Sequence, residues 1–268
     1  MVFLGKRTVW IWTIASALFF ALWFGGLAWA VADYYGGGNG GREMAKPEAE
    51  APAAKQDKDE LKLVAMGDSL TRGSGDAAGR GYVGYLMDSL KERLDEDATL
   101  VNLGINGQRS AQLAEQVKQA EVQRQLSQAD IVLITIGGND LFRSGQGLVD
   151  FESNNSGNIQ KDYLANASTI LTQIRSVNND ATIFLIGLYN PFIEFEEGKE
   201  MSAIIRGWNF ATAELATGFD KVVFVPTFDL FELNVNDYLY TDKFHPNTEG
   251  YKLIADRVSA LVKWEGEE

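Results

Sequence analysis

The stretch LKLVAMGDSL, at residues 61–70, joins a short apolar run to a glycine and then to polar residues. Four later runs are also rich in β-branched residues, apolar on both faces and about five to nine residues long, as buried parallel strands are. They lie at 99–105, 130–138, 181–190 and 221–228. Helical periodicity fills the intervals and the end of the chain, at 82–94, 110–126, 161–177, 204–217 and 248–264. This alternation predicts an α/β fold, a three-layer α/β/α sandwich around a five-stranded parallel sheet.

The composition of the 268-residue chain excludes several kinds of site. Its 37 acidic and 24 basic residues give a formal net charge of −13, which disfavours binding to nucleic-acid phosphates. The chain has no cysteine and one histidine, His245, so disulfides, thiolate nucleophiles and zinc sites built on several Cys or His ligands are excluded. The sequence predicts no cofactor and no metal, and it gives no sign of an obligate protein partner.

An uncharged apolar stretch at residues 8–32 follows a short basic leader. As a helix it would span roughly 37 Å, enough to cross a hydrocarbon core of about 30 Å. The leader and the small residues near its end are typical of a cleaved signal peptide, whereas its length favours a retained signal anchor. Both interpretations predict an exported protein, anchored in the membrane if the segment is uncleaved and secreted if it is cleaved. We therefore expect a signal segment at 1–32, a flexible linker at 33–60 and one domain at 61–268.

The first strand runs directly into GDSLTRG, at residues 67–73. This motif places Ser69 at a sharp strand-to-helix turn, at the carboxyl edge of the sheet, where sites form in such folds. The free N–H groups of a helix N-terminus favour negative charge that develops beside them. A simpler interpretation is that Asp68 or Ser69 only caps the helix and that Gly73 is a turn residue.

Two further motifs follow strands that end at the same edge. NLGING, at 102–107, offers the backbone N–H of Gly104, and GGND, at 137–140, offers the side-chain amide of Asn139. Both groups are donors of the kind that stabilise an oxyanion. The alternative for the second motif is a Gly-Asn turn with Asp140 capping the next helix.

The segment after the fifth strand contains Asp242 and His245, three residues apart and just before the final helix. At this spacing a carboxylate can accept the Nδ1–H of the imidazole and leave Nε2 free to act as a base. The alternative is an isolated histidine at the surface or in the core.

These residues, in this order, resemble the SGNH subgroup of the GDSL-type esterase and lipase family. The four letters correspond to Ser69, Gly104, Asn139 and His245, with Asp242 completing a triad. The resemblance covers essentially the whole predicted domain and is nearest to bacterial membrane-tethered lysophospholipase-like or thioesterase-like acylhydrolases. It implies a flavodoxin-like sheet with strand order 2-1-3-4-5.

The activity that this resemblance implies is hydrolysis of small-molecule acyl esters through an acyl-enzyme. Ser69 would be the nucleophile, His245 the base and Asp242 its partner, with the N–H groups of Ser69 and Gly104 and the Asn139 amide as the oxyanion hole.

Two long loops, at 141–158 and 190–200, lie at the predicted active edge. Their apolar residues, Phe142 and Phe192 among them, either bind an acyl group or only cover the core. Apolar loops and a membrane segment favour acyl esters of lipids as substrates. The alternatives are a carbohydrate O-acetylesterase that acts on cell-wall polymers and a tethered binding module without catalytic activity.

Overall fold

The computed structural model describes residues 6–35, 60–94, 97–142 and 156–263. The chain divides into two units, Met1–Gln56 and Asp57–Glu268. In the first unit, helix α1 spans Lys6–Tyr35. Within the described ranges, no helix meets the length and hydropathy needed to cross a membrane. Residues 36–59 of the predicted linker lie outside the described residues, and the signal segment stays a prediction.

The second unit alternates strands and helices. In chain order these are β1 Glu60–Gly67, α2 Ser69–Arg72, α3 Gly81–Leu94, β2 Asp97–Asn102, α4 Ser110–Gln116, α5 Ala120–Leu126, β3 Ile131–Thr135, α6 Gly138–Phe142, α7 Ser156–Val177, β4 Thr182–Ile186, α8 Gly198–Thr217, β5 Val222–Val225, α9 Phe228–Glu232, α10 Val235–Tyr238 and α11 Thr248–Ser259. Every strand pair is parallel, and the sheet order is β2-β1-β3-β4-β5. The predicted five-stranded α/β/α sandwich is confirmed, with the strand order that the resemblance implied.

Successive residues of the central strand β3 face opposite layers, which explains why its first four residues are all apolar. Val132 and Ile134 pack in a core with residues of α4, α5, α7 and α8. Ile131 and Leu133 pack in a second core with residues of α3 and α11. The sheet is therefore covered on both faces, and its open carboxyl edge is where polar residues can gather.

The prediction of one continuous helix at 110–126 is wrong, because the chain forms α4 and α5 with a break between them. Gln119, at φ −68° and ψ 134°, is extended and starts the second helix. Gln116, at the end of the first helix, points inward, donates to the carbonyl of Leu103 and accepts from Gln108. Apolar periodicity could not reveal this break because buried residues continue on both sides of it.

Strands β2, β3 and β4 end earlier than their apolar runs, at Asn102, Thr135 and Ile186. The residues after these points form the loops of the carboxyl edge. Helix α2 agrees with the strand-to-helix turn predicted at Ser69. Helix α6, which follows β3, has only five residues, too few to show a helical period.

Candidate active site

Ser69 is held by the sharp turn between β1 and α2. The turn begins at Gly67, whose φ of +124° disfavours any side chain, and a Cβ there would lie 1.8 Å from the carbonyl oxygen of Thr135. Asp68 is the N-cap of α2, since its side chain accepts the N–H of Leu70 at 3.0 Å. Ser69 is the first helical residue, where the backbone N–H has no acceptor within the helix. The capping interpretation is thus confirmed for Asp68, and the cap is part of what positions the serine.

The structure joins Ser69 to the two residues predicted to work with it. His245 Nε2 lies 2.8 Å from Ser69 Oγ, and His245 Nδ1 lies 2.7 Å from Asp242 Oδ2. The carboxylate of Asp242 can only accept, so the Nδ1 proton points to it and Nε2 is left to accept the serine hydroxyl proton. The isolated-histidine alternative is wrong for His245.

The Asp242 carboxylate is fixed by its own loop. Its Oδ1 accepts the backbone N–H groups of Phe244 and His245, both at 3.0 Å. Burial by itself would raise the pKa of Asp242, but the hydrogen bonds from the imidazole and from these two N–H groups outweigh it and lower that pKa. Asp242 therefore stays ionised beside His245 at neutral pH.

Asp68 is a second carboxyl group at the site. It is 4% exposed, and burial raises its pKa to about 6, although hydrogen bonds from the Leu70 N–H and the Thr135 hydroxyl act in the opposite direction. Thr135 Oγ1 donates to Asp68 Oδ1 at 2.9 Å and lies 2.7 Å from Thr71 Oγ1. The nucleophile turn is thereby tied to the end of β3. Nothing in the sequence pointed to Thr135, because its partner is 67 positions away along the chain.

The two other predicted oxyanion donors, Asn139 and Gly104, each already donate a hydrogen bond to another group. Asn139 is buried, and its Nδ2 donates to the backbone carbonyl of Gln108 at 3.0 Å. Gly104 packs against α2, where a Cβ would lie 2.9 Å from Thr71 Cγ2, and its N–H donates to Asn102 Oδ1 at 3.0 Å. The oxyanion role of Gly104 therefore stays a prediction.

A cavity of about 30 Å³ opens beside the nucleophile. Its polar wall includes Asp68, Ser69 and Asn139, and most of the remaining wall is apolar. The apolar side chains come from Ile136, Phe142, Ile186, Leu188, Pro191 and Phe244, with Tyr189 beside them. Such a cavity suits an apolar group whose polar end meets Ser69.

Phe142 and Phe192 contribute to this wall in different ways. Phe142 lines the cavity. Phe192 does not line it but packs edge-on against Phe142, with ring centroids 5.5 Å apart. Phe244 contacts Phe142 at 5.8 Å and the imidazole of His245 at 5.1 Å. Residues 143–155 of the predicted loop lie outside the described residues. Across the described part of the chain, no group of three or more His, Cys, Asp or Glu side chains could hold a metal ion.

Comparison with known proteins gives concordant matches. The model of the GDSL-like Lipase/Acylhydrolase family matches residues 65–253. The uncharacterized protein YpmR of Bacillus subtilis is 35% identical over 216 residues, which cover 78% of this chain and 84% of that protein. The spore germination lipase LipC of Bacillus licheniformis is 26% identical over 211 residues, covering 75% and 95%. A crystal structure of the lipase Lip_vut3 from a goat rumen metagenome is 25% identical, with a TM-score of 0.70 and coverage of 77% and 100%.

Proposed function

Because the chain belongs to the GDSL-like lipase/acylhydrolase family and is therefore an ester hydrolase, we propose that it cleaves acyl esters of lipids through Ser69, His245 and Asp242. The observation that carries this proposal is the unbroken hydrogen-bond chain from Ser69 Oγ through the imidazole to Asp242. That chain meets the geometric requirement for a nucleophile, a base and a group that orients the base.

In the first half of the reaction, His245 Nε2 takes the hydroxyl proton of Ser69 as Oγ attacks the ester carbonyl carbon. The carbonyl π bond opens and its oxygen becomes an oxyanion. The carbonyl then re-forms, the bond to the alcohol oxygen breaks, and the proton on Nε2 passes to the leaving alkoxide. Asp242 stabilises the imidazolium between these two transfers without taking its proton. The product of this half is an acyl group on Ser69 and a free alcohol.

In the second half, a water molecule replaces the alcohol. His245 takes one of its protons, the hydroxide oxygen attacks the acyl carbon, and a second oxyanion forms. Its collapse breaks the bond to Ser69 Oγ, which recovers the proton from Nε2. The fatty acid leaves and the enzyme returns to its starting state, so no external reagent other than water is consumed.

The oxyanion needs donors that are in place before the reaction, since these stabilise the charge only as it develops. The N–H of Ser69, at the start of α2, and the amide of Asn139, at the start of α6, belong to residues of the same cavity wall. We assign the oxyanion to these two groups first. Gly104 joins them only if its N–H leaves Asn102 or is shared with it.

Three observations support a lipid substrate. The cavity beside Ser69 has a mainly apolar wall. Phe195, Leu233 and Tyr240, which follow β4 and β5, are large apolar side chains that are 50%, 86% and 45% exposed. Phe195 contacts Phe192, and the N–H of Tyr240 donates to the carbonyl of His245, so these two side chains lie near the site, where an acyl chain longer than the cavity would emerge. The uncharged stretch at 8–32 supports the same proposal, because it is suited to contact with lipid.

One observation favours the alternative, an O-acetylesterase that acts on carbohydrate. The cavity of about 30 Å³ has room for roughly two or three water molecules. An acetyl group fits such a space, whereas a fatty acyl chain must extend outside it. Chain-length preference therefore distinguishes the two functions.

The test uses the full chain in detergent and a series of p-nitrophenyl esters from acetyl to palmitoyl. Activity that depends on Ser69 and is highest with medium or long chains supports the lipid ester hydrolase. A sharp preference for acetyl supports the O-acetylesterase. Folded protein that releases no p-nitrophenol from any ester contradicts both and supports the binding module.

The control for the nucleophile is a serine in the same turn region. Ser74 lies five residues after Ser69, and its hydroxyl donates to Asn106 rather than to the imidazole. Ser69→Ala should abolish turnover, while Ser74→Ala should keep it within a few fold. Equal activity in the two variants would show that Ser69 is not the nucleophile.

A further inference from the structure

The start of α6 is fastened to the loop that precedes α4. The Asp140 carboxylate accepts the backbone N–H of Ser110 at 2.9 Å through Oδ2, and it accepts the hydroxyl of Ser110 at 2.6 Å through Oδ1. Ser110 is fully buried, and Asn166 of α7 donates to its hydroxyl oxygen at 3.0 Å. The alternative of a Gly-Asn turn with Asp140 capping the next helix is wrong, since Asp140 lies within α6 and its carboxylate binds Ser110, the first residue of α4.

The neighbouring residue makes a parallel contact to the same loop. Asn139 Nδ2 donates to the carbonyl oxygen of Gln108 at 3.0 Å. Asn139 and Asp140 are adjacent, and their partners Gln108 and Ser110 are two positions apart. The two contacts therefore form a pair across the same narrow gap, and a shift of the loop at Ser110 moves the carbonyl that Asn139 binds.

The loop is also held from its other side. Gln108 is 3% exposed, and its Nε2 donates to Gln116 Oε1 at 2.8 Å. The N–H of Arg109 donates to Gln112 Oε1 at 2.9 Å. Among the described residues, the loop is joined to α6 by the bonds of Ser110 to Asp140 and by the bond of Asn139 to Gln108. When the first link is weakened, the loop keeps its internal bonds, but the position of the Gln108 carbonyl relative to Asn139 is less firmly fixed.

We infer that Asp140 and Ser110 are positioning residues that orient the Asn139 amide toward the oxyanion formed at Ser69. The inference rests on the proposed function. A bond from one N–H of a planar amide to a fixed carbonyl sets the plane of the whole group, and hence the direction of its other N–H. Donors of an oxyanion hole must be aimed at the site of the developing charge before the reaction begins. The Asp140–Ser110 contact holds the loop that carries the Gln108 carbonyl, and this carbonyl in turn orients the Asn139 amide. Neither Asp140 nor Ser110 touches the substrate.

The test is a double-mutant cycle between Ser110→Ala and Asn139→Ala, with an activated p-nitrophenyl ester so that losses of about 1,000-fold remain measurable. Loss of an oxyanion donor costs roughly 100- to 1,000-fold in kcat, and we expect misdirection of one to cost about 10-fold, with KM changed less than twofold. If Ser110 acts only through Asn139, Ser110→Ala will lower kcat no further once Asn139 is alanine. A purely structural role would give the same loss in both backgrounds.

The control is Ser89→Ala, which removes the contact of a half-buried serine away from the site, Ser89 Oγ to Ser259 Oγ at 2.8 Å, between α3 and α11. It should leave kcat unchanged at a similar cost in stability. Asp140→Asn is the second variant if Ser110→Ala does not fold, because its amide oxygen can still accept one of the two bonds. Its kcat should fall by about 10-fold relative to the unmodified protein, and no further once Asn139 is alanine.

The outcomes separate this inference from the function on which it rests. The positioning role of Asp140 and Ser110 is overturned by an unchanged kcat in folded Ser110→Ala, by an unchanged kcat in Asn139→Ala, or by additive losses in the double variant. In each of these cases Ser69→Ala remains inactive. Activity in Ser69→Ala overturns the proposed function itself.

Discussion

The buried carboxyl of Asp68 gives a prediction that can be worked through in numbers. Burial raises its pKa from the ordinary 3.8 to about 6 in the folded protein. Between these two values the folded state holds more protons than the unfolded state, so this group makes the protein less stable as the pH rises. The difference of about 2 pH units corresponds to about 3 kcal/mol at pH 7 and above. Because Asp68 is 4% exposed, solvent screens little of this cost.

Asp68→Asn removes the buried charge but keeps an oxygen that can accept from the Leu70 N–H and from the Thr135 hydroxyl. Asparagine is also as good an N-cap as aspartate. We therefore expect the free energy of unfolding to rise by about 3 kcal/mol at pH 8 and by about half of that at pH 5. Urea denaturation of both proteins at the two pH values measures the difference directly.

The control is Asp256→Asn, an exposed carboxyl on α11, which should change the free energy of unfolding by no more than about 0.5 kcal/mol at either pH. If Asp68→Asn has the same effect at pH 5 and pH 8, the raised pKa is refuted. If it destabilises the protein at pH 8, the carboxylate has a structural role that the amide cannot fill.

Three further predictions concern the triad, the nucleophile turn and the cavity. Asp242→Asn should lower kcat by about 10,000-fold, because the imidazole of His245 loses the group that fixes its tautomer; steady-state hydrolysis of p-nitrophenyl acetate measures this, and a loss below tenfold would contradict the role. Gly67→Ala should cost about 3 kcal/mol or more in urea denaturation, since its Cβ would lie 1.8 Å from the carbonyl oxygen of Thr135, and a normal urea midpoint would refute the geometry. Phe142→Ala should enlarge the cavity and shift kcat/KM toward longer acyl chains; an unchanged chain-length profile would show that this ring does not limit the acyl group.

Local sequence was sufficient for the layered fold and for the position of each polar motif. The runs at 63–66 and 131–134 are apolar at successive positions, as expected of a strand covered on both faces. Parallel strands also place all their carboxyl ends at one edge, so Ser69 and Asn139 could be assigned to the same region before any contact was known. Asp242 and His245 are three residues apart, and their hydrogen bond is a local property of one loop.

Tertiary structure decided every contact that joins segments far apart in the chain. The bond between Ser69 and His245 spans 176 positions, and that between Ser110 and Asp140 spans 30. The partner of the Gly104 N–H depends on how the Asn102 side chain turns in the folded loop, and the sequence pattern does not encode that rotamer.

The physical reason for this division is the range of the forces involved. Apolar periodicity reflects which side chains of a segment face the core, and this can be recognised from the residues of that segment alone. The direction of a hydrogen bond depends on a few tenths of an ångström between groups brought together by packing, and only the assembled layers set that distance. The sequence therefore determined which residues gather at the edge of the sheet, whereas the tertiary structure determined which of them bind one another.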